Sequence, residues 1–350
     1  MKILVCRSSG YIAVDANDLP TTSNNEESLG HYLALEKEGY TPYLLSNTPN
    51  KTYRTLDFDD IADVDHIFID RLTYNFFGGK ITPYFDRLLT LFADFTGNIS
   101  VHYTDPDIGL GNMFSDVVKK GVDTFSSHDK IQRCADSINY DRCTIRSAYP
   151  VDNDHAIHDK FGAVTFIDSW RESIFNIKWP TSLFDYEHDQ KEKSLQYIGS
   201  NKSSRHRVLK ELGVLNDNDR VWYYGKISAP WNKQSKSVNI AQRQEIYDKH
   251  IGSLVLGHRK QHNSGINHRF LLGLKYGSAM CIHSACDSAY KWTQGTDLDR
   301  LIYFNGSVSF YDVLERLRDP KIHAQIIEQL ESVRVNITAM TAEQYKENMI

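Results

Sequence analysis

The sequence predicts an α/β protein made of two parallel-sheet domains with a cleft between them. Three observations carry this. From the N-terminus, short apolar runs alternate with stretches of helical spacing. A polar, charged segment, Glu187 to Lys193, interrupts the alternation and reads as a linker. Beyond it the alternation begins again for a similar length, with no repeat of fixed period. At 350 residues the chain has the length for two domains and a sizeable core. Strands that alternate with helices pair in parallel through crossover connections.

Taken in order, Lys2 to Cys6 is an apolar run that reads as a buried strand. A polar loop with Asp15, Asn17, Asp18 and Pro20 follows. Glu26 to Glu38 has helical spacing, with Leu29, Tyr32, Leu33 and Leu35 on one face and Gly39 closing it. Thr41 to Leu45 and His66 to Ile69 read as strands, Pro83 to Phe95 as a helix, and Ile99 to Tyr103 as a strand that runs on to Asp105. The pattern is weaker through Val122–Phe125 and Ala163–Ile167. In the second half, strands are expected at Leu195–Gly199, Val221–Gly225, Ser253–Gly257 and Ala279–His283. Helices are expected at Ser203–Leu212, Ile240–His250 and Ile266–Tyr276, with late helices from Phe310, Ile322 and Ala342.

Bulk properties narrow the function. The net charge of −5 excludes a wholesale polycation, so any binding to nucleic acid must use a local basic face. Five cysteines, Cys6, Cys134, Cys143, Cys281 and Cys286, form no C-x-x-C pair. They read as reduced, buried thiols rather than a zinc site or disulfide framework. The N-terminal apolar run is too short for a signal peptide, and no stretch approaches membrane-spanning length. A cytoplasmic protein with no membrane partner is expected.

Ligands of open α/β sheets bind beyond the carboxyl ends of the strands, so the loops there hold the candidate chemistry. Gly199-Ser200-Asn201-Lys202-Ser203-Ser204-Arg205 lies at a strand-to-helix junction. Glycine and serine let backbone N–H groups approach an anion, and Lys202, Arg205 and Arg207 add charge. This suits a diphosphate, although the Walker spacing is absent; the plainer alternative is a capped helix start with solvated basic residues. A second basic loop, His258 to Arg269, also follows a strand. Its histidines His258, His262 and His268 lack a nearby carboxylate and point to no metal site. Asp105, or Asp107 two residues on, is a candidate general base, and either can instead cap the turn at Pro106. Asn75-Phe76-Phe77-Gly78-Gly79-Lys80 is either a turn with buried rings or a rigid probe that fills the gap left by a flipped base.

The strings Asn75 to Lys80 and Thr104-Asp105, at their mutual spacing, resemble the DNA β-glucosyltransferases of T-even bacteriophages. The resemblance extends over most of the chain at low identity. It implies Asp105 as catalytic base and Glu27, beside Glu26, as the acidic residue near the sugar. It places the sugar nucleotide on Gly199, Ser200, Lys202, Arg205, Tyr224 and Arg269, and DNA on Asn75, Phe76, Phe77 and Lys80. It departs at Leu272, where the family has a glutamate that holds the donor ribose. The loop from Pro106 to Phe114 also departs, so it supplies no acceptor residues.

What the resemblance implies is the GT-B architecture: two Rossmann-like domains facing a central cleft. Residues 1–186 would form the acceptor domain and 187–335 the sugar-nucleotide domain, with a helix at 336–350 crossing back. The implied activity is inverting transfer from a UDP-sugar, glucose or alternatively arabinose, to a 5-hydroxymethylcytosine-type base in duplex phage DNA, protecting it from restriction in the infected bacterial host. A monomer is expected, and a divalent cation (Mg or Mn) is compatible without a dedicated site. The rival readings are a GT-B enzyme with a non-DNA acceptor and a catalytically idle nucleotide- or DNA-binding protein.

Overall fold

The computed structural model describes residues 1–7, 10–21, 23–70, 83–103, 143–147, 165–166, 188–199, 203–215, 217, 219–224, 238, 240–256 and 268–348. The chain divides into two compact units, one of Met1–Ile177 with Met340–Ile350 and one of Lys178–Ala339.

In the first unit, β1 (Lys2–Arg7), β2 (Thr41–Leu45), β3 (Thr55–Leu56), β4 (His66–Asp70), β5 (Asn98–Tyr103), β6 (Cys143–Ser147) and β7 (Thr165–Phe166) form one sheet. Their spatial order is β3-β2-β1-β4-β5-β6-β7. Every pairing is parallel. The central strands show why: Ile3 to Cys6 and all of β4 are buried, the continuous burial that a sheet covered on both faces demands. Helix α1 (Ser23–Lys37) connects β1 to β2 and ends at Gly39, whose φ of +85° suits glycine. In α2 (Pro83–Asp94), Leu88, Leu91 and Phe92 recur at helical spacing and are buried.

The second unit has a five-stranded sheet of β8 (Glu192–Ile198), β9 (Val221–Tyr224), β10 (His250–Val255), β11 (Met280–His283) and β12 (Tyr303–Phe304), ordered β12-β11-β10-β8-β9. These strands are also all parallel. Helices α3 (Ser203–Glu211), α4 (Ile240–Lys249), α5 (His268–Lys275), α6 (Asp287–Thr293), α7 (Leu298–Leu301), α8 (Ser307–Arg318) and α9 (Pro320–Asn348), the last belonging to this unit as far as Ala339, follow in chain order. Helix α8 buries Phe310, Val313, Leu314 and Leu317 along one stripe.

Several elements differ from the sequence expectation for local reasons. Ile322 and Ala342 belong to one 29-residue helix, not two. Asp319 caps it by accepting from the N–H groups of Lys321 (2.8 Å) and Ile322 (3.1 Å), Pro320 opens it, and no glycine or proline follows to break it. The segment expected to be a linker, Glu187 to Lys193, contains a 3-10 turn (His188–Gln190) and the start of β8. There the Lys193 ammonium donates to the His188 carbonyl at 2.8 Å. His250 begins β10 rather than ending α4, in register with Glu192. The Val122–Phe125 run lies outside the described residues.

Two buried histidines set an acid limit on the second unit. His250 has Nδ1 3.0 Å from Ser194 Oγ and Nε2 2.8 Å from Tyr224 Oη. His323 has Nε2 2.8 Å from the Ile251 carbonyl oxygen. Burial lowers each from the ordinary 6.5 to about 4. The folded state therefore binds fewer protons than the unfolded state between those values. The stability this provides is complete above pH 6.5 and is lost as the pH falls toward 4, about 3 kcal/mol for each histidine at most. Urea unfolding at pH 7, 5.5 and 4.5 should show stability falling steadily; an unchanged midpoint across that window would refute neutral, buried histidines.

Candidate anion site at a topological switch point

In the second sheet the chain leaves β8 toward β9 on one side and later returns to β10 on the other. The crevice between the carboxyl ends of β8 and β10 is therefore a topological switch point, where α/β proteins place ligands. The helices that follow these two strands, α3 and α5, supply one arginine each.

Gly199 lies directly after β8, and its N–H donates to the Tyr224 carbonyl at 3.0 Å. Arg269, second residue of α5, donates from Nε to the Ile198 carbonyl at 2.9 Å. Its guanidinium carbon stands 5.2 Å from the centroid of the Tyr197 ring. A Cβ on Gly199 would collide with that guanidinium and lie 3.1 Å from Tyr197 Oη. Glycine is required here by close approach. Arg205, in the first turn of α3, is only 7% exposed, and its Nε has no hydrogen-bond partner among the described residues. Burial first, then the charge of Arg269, lowers its pKa to about 10, so it remains a cation at neutral pH. The other groups acting on it are Tyr197 and Cys286, neither a carboxylate. A buried cation held beside a second cation, with no carboxylate acting on it among the described residues, is costly unless an anion completes it. The starts of α3 and α5 add favourable dipole ends.

Of the expected nucleotide contacts, the structure brings Gly199, Arg205 and Arg269 together. Tyr224 reaches this group through its backbone carbonyl, while its hydroxyl bonds His250 and is pushed up to about 12, chiefly by burial. Leu272 is buried in the core with Phe270, Leu271 and Leu274. Ser200 and Lys202 lie outside the described residues. Sequence reasoning missed Tyr197, because a tyrosine inside a buried strand reads as core.

The first sheet has its own switch point between β1 and β4. Buried polar residues gather there. Asp70, last residue of β4, is in register with Arg7 of β1. Asp70 Oδ2 accepts from Ser28 Oγ at 2.6 Å, and its Oδ1 lies 3.4 Å from His31 Nε2. The Arg7 guanidinium donates to Asn25 Oδ1, and the Arg7 carbonyl accepts from Tyr84 Oη at 2.5 Å. Glu27 stands on this buried first part of α1, beside the equally buried Glu26. Burial, then the charge of Asp70, pushes the Cys6 thiol up, which makes it inert. The sequence reading stopped this strand at Ile69 and so passed over Asp70; a strand ending on a carboxylate was the available signal. Asp105, Asn75, Phe76, Phe77 and Lys80 lie outside the described residues, as do His258 and His262.

Among the described residues, no helix is long and apolar enough to cross a membrane, and no cluster of His, Cys, Asp and Glu is arranged to hold a metal. No family model and no curated protein matches the sequence. Solved structures do match the fold. T4 phage β-glucosyltransferase in complex with its UDP-glucose substrate superposes with a TM-score of 0.72 at 15% identity, covering 100% of this chain and 98% of that one. The DNA-modifying enzyme β-glucosyltransferase, studied with and without uridine diphosphoglucose, gives 0.67 at 16% identity over the same shares. The T4 phage enzyme with UDP and Mn2+ gives 0.68 at 14% identity, again over the same shares. The architecture is thus the GT-B type seen in those glycosyltransferases, two α/β units with parallel sheets spanning the whole chain.

Proposed function

We propose that the protein is an inverting glycosyltransferase that moves glucose from UDP-glucose to the hydroxyl of a 5-hydroxymethylcytosine-type base in duplex DNA. The observation that carries the donor half is the pair of guanidiniums, Arg205 and Arg269, gathered around Gly199 at the switch point. Two fixed forks beside two helix starts match the oxygens of a diphosphate. The structural likeness to an enzyme solved with UDP-glucose supports the same donor. The likeness to a DNA-modifying enzyme supports the acceptor, together with the Asn75-Phe76-Phe77-Gly78-Gly79-Lys80 string.

In this reading Asp105 removes the proton from the base's hydroxymethyl group as its oxygen attacks the anomeric carbon. The bond to the diphosphate breaks on the opposite face, which inverts the configuration. Arg205 and Arg269 stabilise the negative charge that grows on the departing diphosphate, and they need no reorganisation to do so. Glu27 faces the sugar. Asn75, Phe76, Phe77 and Lys80 engage the duplex around the extruded base. The protein acts as a monomer in the cytoplasm of an infected bacterium, and the added sugar shields the DNA from restriction enzymes. The donor cradle of two guanidiniums and a phenol suits an anion, and a divalent cation would accompany the diphosphate without a dedicated protein site.

The deciding experiment incubates duplex DNA containing 5-hydroxymethylcytosine with the protein and UDP-glucose, UDP-arabinose or other nucleotide-sugars, then digests it for nucleoside mass spectrometry. A gain of one hexose on the modified base is expected. DNA affinity should fall steeply with salt, because a net acidic protein must hold phosphates through a local basic face. No sugar gain with any donor, despite retained DNA binding, would favour the idle binder that Leu272 keeps open. Donor hydrolysis without DNA affinity would favour a non-DNA acceptor.

A further inference from the structure

We propose that the Tyr197 hydroxyl is a third hydrogen-bond donor to the diphosphate, acting beside Arg205 and Arg269. The inference rests on the sugar-nucleotide reading of this site and adds a residue to it.

Tyr197 is the penultimate residue of β8, the strand on one side of the switch point. Its side chain is 1% exposed, and although the Arg205 guanidinium can donate to Oη, the phenolic proton has no acceptor among the described residues. Buried phenols ordinarily find one, and leaving a hydroxyl unsatisfied costs about 1–3 kcal/mol. The surroundings explain the deficit. The ring carries the Arg269 guanidinium on its face, and Oη lies 3.1 Å from where a side chain on Gly199 would begin. Arg205 is the other polar neighbour. Guanidiniums are donors only, so neither can accept the phenolic proton. The Ile198 carbonyl accepts from Arg269 Nε. Tyr197 Oη and Arg205 Nε are thus two buried donors on one crevice without an acceptor among the described residues, beside a glycine against which the Arg269 guanidinium packs. A phosphoryl oxygen is the acceptor that would satisfy both. The apo protein bears the cost of the orphaned hydroxyl, and the ligand relieves it.

This makes a test in which affinity and stability move in opposite directions. Full-length wild type and Tyr197→Phe are titrated calorimetrically with UDP, inorganic pyrophosphate and uridine, and their thermal midpoints are measured without ligand. The phenylalanine keeps the ring under Arg269 and removes only the hydroxyl. The expected result is an approximately tenfold higher dissociation constant for UDP and pyrophosphate, as for loss of one hydrogen bond to a charged group. Uridine binding should be unchanged, and the ligand-free midpoint equal to or above wild type. Unchanged UDP affinity in the variant would overturn the role of Tyr197 while leaving the anion site standing. A lowered midpoint together with weaker binding of all three probes would also overturn it, by making the hydroxyl structural. A wild type that binds neither UDP nor pyrophosphate would overturn the site itself and the inference with it.

Discussion

Asp105→Asn should reduce sugar transfer at least about a thousandfold while the dissociation constant for UDP-glucose stays within about twofold. The carboxamide keeps the size of the side chain but cannot accept the hydroxyl proton. The attacking oxygen would then have to expel the diphosphate while still protonated. Asp105 follows β5 by two residues in the first unit, whereas Gly199, Tyr197, Arg205 and Arg269 all belong to the second. The proposed role of Asp105 is proton removal from the acceptor, not contact with the diphosphate, so donor binding should not register the change. Single-turnover transfer to hydroxymethylated duplex and calorimetric titration with UDP-glucose measure the two halves. Lost donor binding would make Asp105 structural; retained transfer would move the base elsewhere, with Asp107 next in line.

Arg269→Ala should raise the dissociation constant for UDP by about two orders of magnitude. The guanidinium is a charge-assisted donor to the ligand, worth about 1.5–3 kcal/mol where it is sheltered from water. The same residue fixes the end of β8 through Ile198 and lies over the ring of Tyr197. Truncation therefore loosens the crevice as well as discharging it. Removing this charge also relieves Arg205, whose pKa should move back up from about 10 toward its ordinary 12.5. Arg269→Lys separates the two effects. It retains the charge but forfeits the planar fork and the Nε bond, so it should fall between wild type and alanine. Titration with UDP checks the series; a change below about threefold for alanine would show that the diphosphate lies elsewhere.

Much of the fold was legible in the sequence because most of its strands are central and parallel. Such strands read as unbroken apolar runs, as in Lys2 to Cys6 and His66 to Ile69. Edge strands lack that signature: Thr55–Leu56 and Tyr303–Phe304 are too short to show a period. The interior strand Cys143–Ser147 mixes polar and apolar residues and so shows no unbroken apolar run either. The anion site was legible in part, since glycine, serine and basic residues after a strand announce it locally. Its depth was not. That Arg269 reaches back to Ile198, 71 residues away, or that Tyr224 uses its hydroxyl on His250, 26 residues away, is decided by tertiary packing. The polar cluster on Asp70 was hidden likewise, because Ser28 and His31 look like solvent-facing helix residues until β4 is placed beneath them.

The lengths of the outer strands bear on how the protein behaves at high concentration. Two sheets built only from parallel strands assemble through long-range connections, a slow route during which strand edges stand open to other chains. Among the described residues, the outermost strands β3, β7 and β12 have two residues each and β9 has four. Edges this short give an incoming strand almost no ladder to extend. Once folded, each sheet is a poor template for edge-to-edge polymerisation, so the hazard of aggregation is concentrated in synthesis and refolding rather than in the native state.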